Sequence, residues 1–120
     1  MSIAGRKFLL VEDEPVIGFA LEDMMIAEGA DTQFASSLDE GLSLADAHEF
    51  DAAVLDVNLH GRESYPLARK LREKGVDVVF ATGYGVEPLP SDLAEVETVA
   101  KPYSVESIRA AFARLQQAGT

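Results

Sequence analysis

The sequence lacks cysteine altogether. Disulfide bonds and thiol chemistry are therefore excluded, and a reducing compartment is the expected environment. Long apolar runs are also missing: the amino-terminal one ends at Val11 and is too short for a signal peptide or a membrane span. We therefore expect a cytoplasmic protein that makes no use of a membrane.

Basic residues are scarce. Lysine and arginine total 10 against 21 acidic residues, which gives a formal net charge of -11. Such a charge repels nucleic-acid backbones and anionic lipid surfaces, so neither is an expected partner. The 48% hydrophobic and 26% charged residues are typical of a folded globular chain, and 120 residues suit one domain, residues 1–120.

Short apolar runs alternate with helical patterns along the chain. Strands are predicted at residues 7–11, 31–35, 52–56, 77–81 and 96–100. Helices are predicted from Pro15 to Gly29, after Ser37, between Gly61 and Gly75, and after Ser104. Two glycines and two prolines lie between residues 83 and 92, so a helix there should begin only near Ser91. This alternation predicts an α/β fold with a parallel sheet and right-handed crossovers.

Chemically active side chains follow four of the predicted strands: Glu12 and Asp13, Asp56, Thr82, and Lys101. The carboxyl ends of parallel strands meet at one edge of a sheet, so these residues should converge. Carboxylates brought together raise the pKa of at least one of them unless a cation neutralises them.

An acidic site of this kind suits Mg²⁺, which binds carboxylates together with phosphate oxygens. Asp56 could then act as a nucleophile toward phosphorus and form an acyl phosphate. A lysine ammonium and a threonine hydroxyl would bind the oxygens of the transferred group. The pattern therefore predicts phosphoryl transfer.

These residues together resemble a response-regulator receiver domain of two-component signalling. The resemblance rests on Val11-Glu12-Asp13, Asp56 with Asn58, Thr82, and Lys101-Pro102, and it covers nearly the whole chain. It implies a flavodoxin-like (βα)5 three-layer sandwich with a parallel sheet in the order 2-1-3-4-5 and five helices.

The resemblance also implies a role for each residue. Asp56 would be the phosphoacceptor, and Thr82 and Lys101 would bind the phosphoryl group. Mg²⁺ would be bound by Asp13, Asp56 and the backbone carbonyl of Asn58, with Glu12 assisting through water. The Lys101–Pro102 peptide bond would be cis. A receiver catalyses only its own phosphorylation and dephosphorylation, and is not otherwise an enzyme.

Three positions depart from the family pattern. Thr98 stands where receivers usually carry the aromatic switch residue, three positions before the lysine. His60 replaces the common proline before Gly61. Phe80-Ala81-Thr82-Gly83-Tyr84 resembles the motif of a mainly alphaproteobacterial subgroup, although Gly85 stands where that motif has its tyrosine.

The resemblance implies a histidine kinase or phosphotransfer protein as the phosphoryl donor and a downstream protein target. The segment from Gly83 to Asp92 is our hypothesis for the element that changes its order on phosphorylation. The expected contact residues lie near this segment and the last strand: Tyr84, Val86, Leu89, Val99 and Tyr103.

Alternatives remain open at this stage. The chain could be a single-domain regulator, a receiver excised from a longer one, or a pseudo-receiver that binds partners without phosphorylation. An Asp-nucleophile phosphatase is disfavoured, because Asn58 occupies the position of the second acid that such enzymes need. Nucleotide binding is disfavoured because neither a P-loop nor a dinucleotide fingerprint occurs.

Overall fold

A computed structural model describes residues 3–83, 88–101 and 103–118. Two expectations fall on residues outside these ranges: the contact residues Tyr84 and Val86, and the peptide geometry at Pro102. The elements run in chain order as β1 Lys7–Val11, α1 Pro15–Ala27, β2 Asp31–Ala35, α2 Leu38–Ala47, β3 Ala52–Asp56, β4 Asn58–Leu59, β5 Arg62–Glu63, α3 Tyr65–Glu73, β6 Asp77–Thr82, a 3₁₀ turn Ser91–Leu93, β7 Glu97–Ala100 and α4 Val105–Ala118.

Five of the strands form one parallel sheet in the order β2-β1-β3-β6-β7. Strands β4 and β5 form a separate antiparallel hairpin. Counted without that hairpin, the order is 2-1-3-4-5, so the predicted flavodoxin-like α/β arrangement is confirmed. The predicted strands agree with the observed ones to within one residue at each end.

The core lies on both faces of the sheet, because alternate residues of each central strand point to opposite faces. On one face Leu9, Leu55 and Phe80 pack with α2 and α3. On the other, Leu10, Val54 and Val79 pack with α1 and α4. Strand β3 is buried along its whole length, which explains its unbroken apolar run before Asp56.

The number of helices differs from the receiver pattern. The described residues contain four α-helices, and the helix expected to begin near Ser91 is a 3₁₀ turn at Ser91–Leu93. Asp92 is attached to α3 there: Arg69 donates to its carboxylate at 2.8 and 3.2 Å, and Arg72 donates to its carbonyl at 3.0 Å. Pro88 and Pro90 precede this turn and lack the N–H groups that a regular helix uses.

The contact-surface prediction was wrong for Val99, which is only 5% exposed. Strand β7 alternates between exposed and buried residues, and Val99 faces the core beside α4, whereas Thr98 faces solvent. Leu89 is half-buried against the α2–α3 core. Within the residues that the structure describes, no helix is long and apolar enough to cross a membrane.

Candidate functional site

Three carboxylates meet at the carboxyl edge of the sheet. Glu12 and Asp13 follow β1, and Asp56 ends the neighbouring strand β3. One oxygen from each of the three side chains lies within 4.8 Å of the others. The predicted convergence of these residues is therefore observed.

Lys101 joins this acidic cluster from the end of β7. Its Nζ lies 2.8 Å from Asp56 Oδ2, and 3.0 and 2.9 Å from the two carboxylate oxygens of Glu12. The ammonium group therefore bridges two carboxylates that belong to different strands. It neutralises part of the charge that burial makes unfavourable.

Burial is the main influence on the pKa of Asp56, which it raises to about 7; the Glu12 charge also raises it, while Lys101 opposes both. One carboxyl group thus has a raised pKa, as expected, but burial is the main cause and repulsion from Glu12 is the lesser one. Burial also acts to lower the pKa of Lys101, but its hydrogen bonds to Asp56 and Glu12 outweigh burial and hold that pKa above its usual value. Lys101 is therefore a charged donor at neutral pH.

Glu12 is completely buried and has a partner that the sequence analysis did not assign to the site. The hydroxyl of Tyr103 donates to Glu12 Oε2 at 2.8 Å. Tyr103 had been predicted as a contact residue, yet it is half-buried and its hydroxyl faces the cluster. The only indication of this role in the sequence was a tyrosine, whose hydroxyl is polar, two positions after Lys101.

Asp13 is held from the β4–β5 hairpin. The backbone N–H of His60 donates to Asp13 Oδ2 at 2.9 Å, and the exposed His60 ring places Nδ1 3.6 Å from the same oxygen. Burial acts to raise the pKa of Asp13, but the hydrogen bond from His60 and the neighbouring side chains outweigh it and lower the pKa.

The hairpin is incompatible with proline, the residue that the family commonly has at position 60. Its two turn residues, His60 and Gly61, have φ angles of 52° and 81°. Positive φ at both residues is what a tight type I′ hairpin turn requires. Proline is fixed near -65° and has no N–H to donate to Asp13.

Thr82 ends β6 at the same edge, but its hydroxyl is not directed at the carboxylates. It donates to the backbone carbonyl of Val99 across the β6–β7 pair, at a long 3.4 Å. The position of Thr82 agrees with the prediction, while its predicted contact with a phosphoryl group is not tested by this geometry.

The donor atoms fit a hard divalent cation. They are all carboxylate oxygens. One oxygen of Asp13 accepts a hydrogen bond from the His60 N–H, and one oxygen of Asp56 accepts from Lys101. Their second oxygens remain for a metal, apart from a 3.3 Å hydrogen bond from Asn58 N–H to Asp56 Oδ1. Both oxygens of Glu12 already accept hydrogen bonds, so a contact through water suits it better than direct ligation.

Ser64, whose N–H donates to the carbonyl of Val57 next to Asp56, provides a stability test. It is fully buried and begins α3, yet its hydroxyl makes no capping bond and has no hydrogen-bond partner among the described residues. A buried hydroxyl without a partner is unfavourable, so Ser64→Ala is expected to raise the free energy of unfolding by about 1 kcal/mol in urea denaturation.

The matched control is Ser37→Ala. Ser37 Oγ accepts from Glu40 N–H at 3.1 Å and caps α2, so its loss is expected to lower stability by about 1 kcal/mol. The Glu40 carboxylate in turn accepts from the N–H of Ser36, the residue before the cap, at 3.1 Å. A destabilised Ser64→Ala variant would show that the hydroxyl does have a partner in solution.

The fold and the site together define a doubly wound α/β domain with a carboxylate–lysine centre at its topological switch point. The chain belongs to the response regulator receiver domain family, whose model matches residues 8–113. Receiver domains are signalling modules of two-component systems.

Two similar proteins illustrate the relationship. The aerobic respiration control protein ArcA of Escherichia coli K12 is 31% identical over 100 residues, which are 80% of this chain and 42% of ArcA. The chain thus spans less than half the length of that relative. The solution structure of SdrG from Sphingomonas melonis Fr1 superposes with a TM-score of 0.81 at 31% identity, covering 97% of this chain and 99% of SdrG.

SdrG has also been solved in its BeF₃-activated conformation. That structure superposes with a TM-score of 0.75 at 32% identity, covering 96% of this chain and 98% of SdrG. The lower TM-score shows that the present structure is nearer in shape to the other SdrG structure.

Proposed function

We propose that this receiver accepts a phosphoryl group on Asp56 from a histidine kinase or phosphotransfer protein, in a Mg²⁺-dependent reaction, and signals through protein contacts. One observation carries the proposal: Asp56, only 6% exposed, ends a buried strand with Lys101 Nζ at 2.8 Å and two further carboxylates beside it. A carboxyl group so confined, with a strongly shifted pKa, is typical of a residue that has a chemical role. The BeF₃-activated SdrG structure supports the proposal by analogy.

In the proposed reaction a carboxylate oxygen of Asp56 forms a bond to phosphorus while the phosphorus–nitrogen bond of the donor's phosphohistidine breaks. The electron pair of that bond returns to the imidazole nitrogen. Hydrolysis later adds water to phosphorus, breaks its bond to Asp56, and restores the carboxylate and free phosphate. The chain acts as its own substrate in both steps.

Lys101 supplies positive charge to the phosphoryl oxygens in this proposal. It already lies against Asp56 Oδ2, so a small displacement of its ammonium group suffices. Thr82 would donate to a phosphoryl oxygen after giving up its long hydrogen bond to Val99.

Asp13, Asp56 and the carbonyl of Asn58 would bind Mg²⁺, with Glu12 acting through water. The ion would offset charge on the incoming phosphoryl oxygens. His60 assists by fixing Asp13 through its backbone N–H.

We further propose that the chain works in the cytoplasm and belongs to the subgroup with the Phe-Ala-Thr-Gly motif, here Phe80 to Gly83. Its likeness to SdrG of Sphingomonas supports this assignment. Residues 1–120 would form one receiver unit, whether they act alone or within a longer regulator.

The function is tested by intact-mass measurement after incubation with acetyl phosphate and Mg²⁺. We expect one phosphoryl group per chain with Mg²⁺ and none when the metal is removed with EDTA. If acetyl phosphate does not phosphorylate the chain, phosphorylated histidine kinases are tested next as donors. No mass gain from any of them would overturn the proposal and identify a pseudo-receiver.

A further inference from the structure

The hydroxyl of Tyr103 belongs to no motif used above, although it contacts the site directly. It donates to Glu12 Oε2, the same oxygen that lies 2.9 Å from Lys101 Nζ. Lys101 and Tyr103 are therefore joined through one buried carboxylate.

Glu12 depends on few donors. Its Oε1 accepts from Lys101 at 3.0 Å and from Glu14 N–H at 3.2 Å, and its Oε2 accepts from Tyr103 at 2.8 Å. The side chain has no surface exposed to bulk solvent, so bulk water does not readily replace a lost donor. A buried carboxylate that loses its partner is strongly unfavourable.

Lys101 has two tasks that conflict in this arrangement. It neutralises Glu12 in the structure as it stands, and under the proposed function it must turn to the phosphoryl oxygens. Each step toward the phosphoryl group removes charge compensation from Glu12. A second donor that stays on Glu12 would reduce this penalty.

Tyr103 is suited to be that donor. Burial, and then the negative charge of Glu12, hold the pKa of its hydroxyl well above the usual range, so it keeps its proton at all physiological pH values. Its ring also packs against the core formed with α1 and α4, which restricts its movement. The tyrosine is thus a neutral donor in a fixed position.

We propose that Tyr103 is a positioning residue that holds Glu12 in place, so that Lys101 can leave this carboxylate and engage the phosphoryl group. The inference rests on the proposed function, which it deepens. It assigns to this chain a residue that acts through Glu12 and does not itself touch the phosphoryl group.

Tyr103→Phe tests the proposal, because it removes the hydroxyl and keeps the ring. The probe is beryllofluoride, a phosphoryl mimic, titrated with saturating Mg²⁺ and followed by amide NMR shifts. We expect the affinity for beryllofluoride to fall about tenfold, as suits a lost hydrogen bond to a charged group. The affinity for Mg²⁺ alone should change by less than about threefold, because Lys101 keeps its contact with Glu12 when no phosphoryl mimic is bound.

Two controls separate this role from a merely structural one. Tyr65→Phe removes a tyrosine hydroxyl from the other face of the sheet, where the ring packs on Phe80, and should leave beryllofluoride affinity unchanged. In a Glu12→Gln background, Tyr103→Phe should have little further effect, because no buried charge then needs the donor.

The outcomes are distinct. Equal beryllofluoride affinity in the native and Tyr103→Phe chains would overturn the positioning role and leave the proposed function intact. So would an undiminished effect in the Glu12→Gln background. A native chain that neither binds beryllofluoride nor takes up phosphate from any donor would overturn both.

Discussion

The Asp56→Asn variant is expected to take up no phosphoryl group under conditions that modify the native chain completely. An amide is far less nucleophilic than a carboxylate, and the other carboxylate against Lys101, that of Glu12, is completely buried with both oxygens already hydrogen-bonded. Intact mass after incubation with acetyl phosphate and Mg²⁺ measures the difference directly. A remaining gain of one phosphoryl group would show that the acceptor is another residue, with Asp13 the first to test.

This loss should not reflect unfolding. The environment of Asp56 disfavours its charged form, since burial raises its pKa to about 7 despite the nearby lysine. A neutral side chain of the same shape is therefore expected to leave stability unchanged or raise it by about 1 kcal/mol. Asp46→Asn, an exposed replacement on α2 next to Lys70, is the matched control and should be phosphorylated normally.

The sequence was most informative where a buried strand ends in a polar residue. Ala52 to Leu55 are completely buried, so only apolar residues are tolerated there, and the change to Asp56 marks the edge of the sheet. The same reasoning located Glu12, Thr82 and Lys101. Neighbouring parallel strands in register place such residues side by side, so their convergence follows from the strand assignments alone.

Side-chain direction was less predictable than position. Val99 and Tyr103 were both expected at a contact surface, because each lies near the last strand. Alternation along the edge strand β7 buries Val99, and the phenol of Tyr103 turns toward a buried carboxylate. Both outcomes depend on contacts between elements distant in sequence, which local patterns do not contain.

Loop conformation was the other feature that the sequence did not reveal. A histidine before a glycine gave no sign of a hairpin, and His60 was noted only as a replacement for the common proline. Its ring is exposed, whereas its backbone adopts the positive φ of the turn and donates its N–H to Asp13. A backbone role of this kind can hardly be inferred from the identity of the side chain.

His60→Pro, which restores the residue common in the family, is therefore expected to damage this particular chain. Proline cannot adopt the φ of 52° observed at this position and has no N–H for Asp13. We expect the free energy of unfolding to fall by about 3 kcal/mol and Mg²⁺ affinity to fall at least about fivefold, because a hydrogen bond to a charged group is lost. Urea denaturation and NMR titration with Mg²⁺ measure the two effects.

His60→Asn distinguishes the backbone requirement from any role of the imidazole. Asparagine tolerates positive φ and keeps the N–H, so this variant should remain within about 0.5 kcal/mol of the native stability and bind Mg²⁺ with similar affinity. If proline proves as well tolerated as asparagine, the β3–α3 connection can adopt another conformation and the hairpin is not needed to hold Asp13. If both variants lose Mg²⁺ affinity equally, the ring 3.6 Å from Asp13 is what matters, and the backbone explanation is wrong.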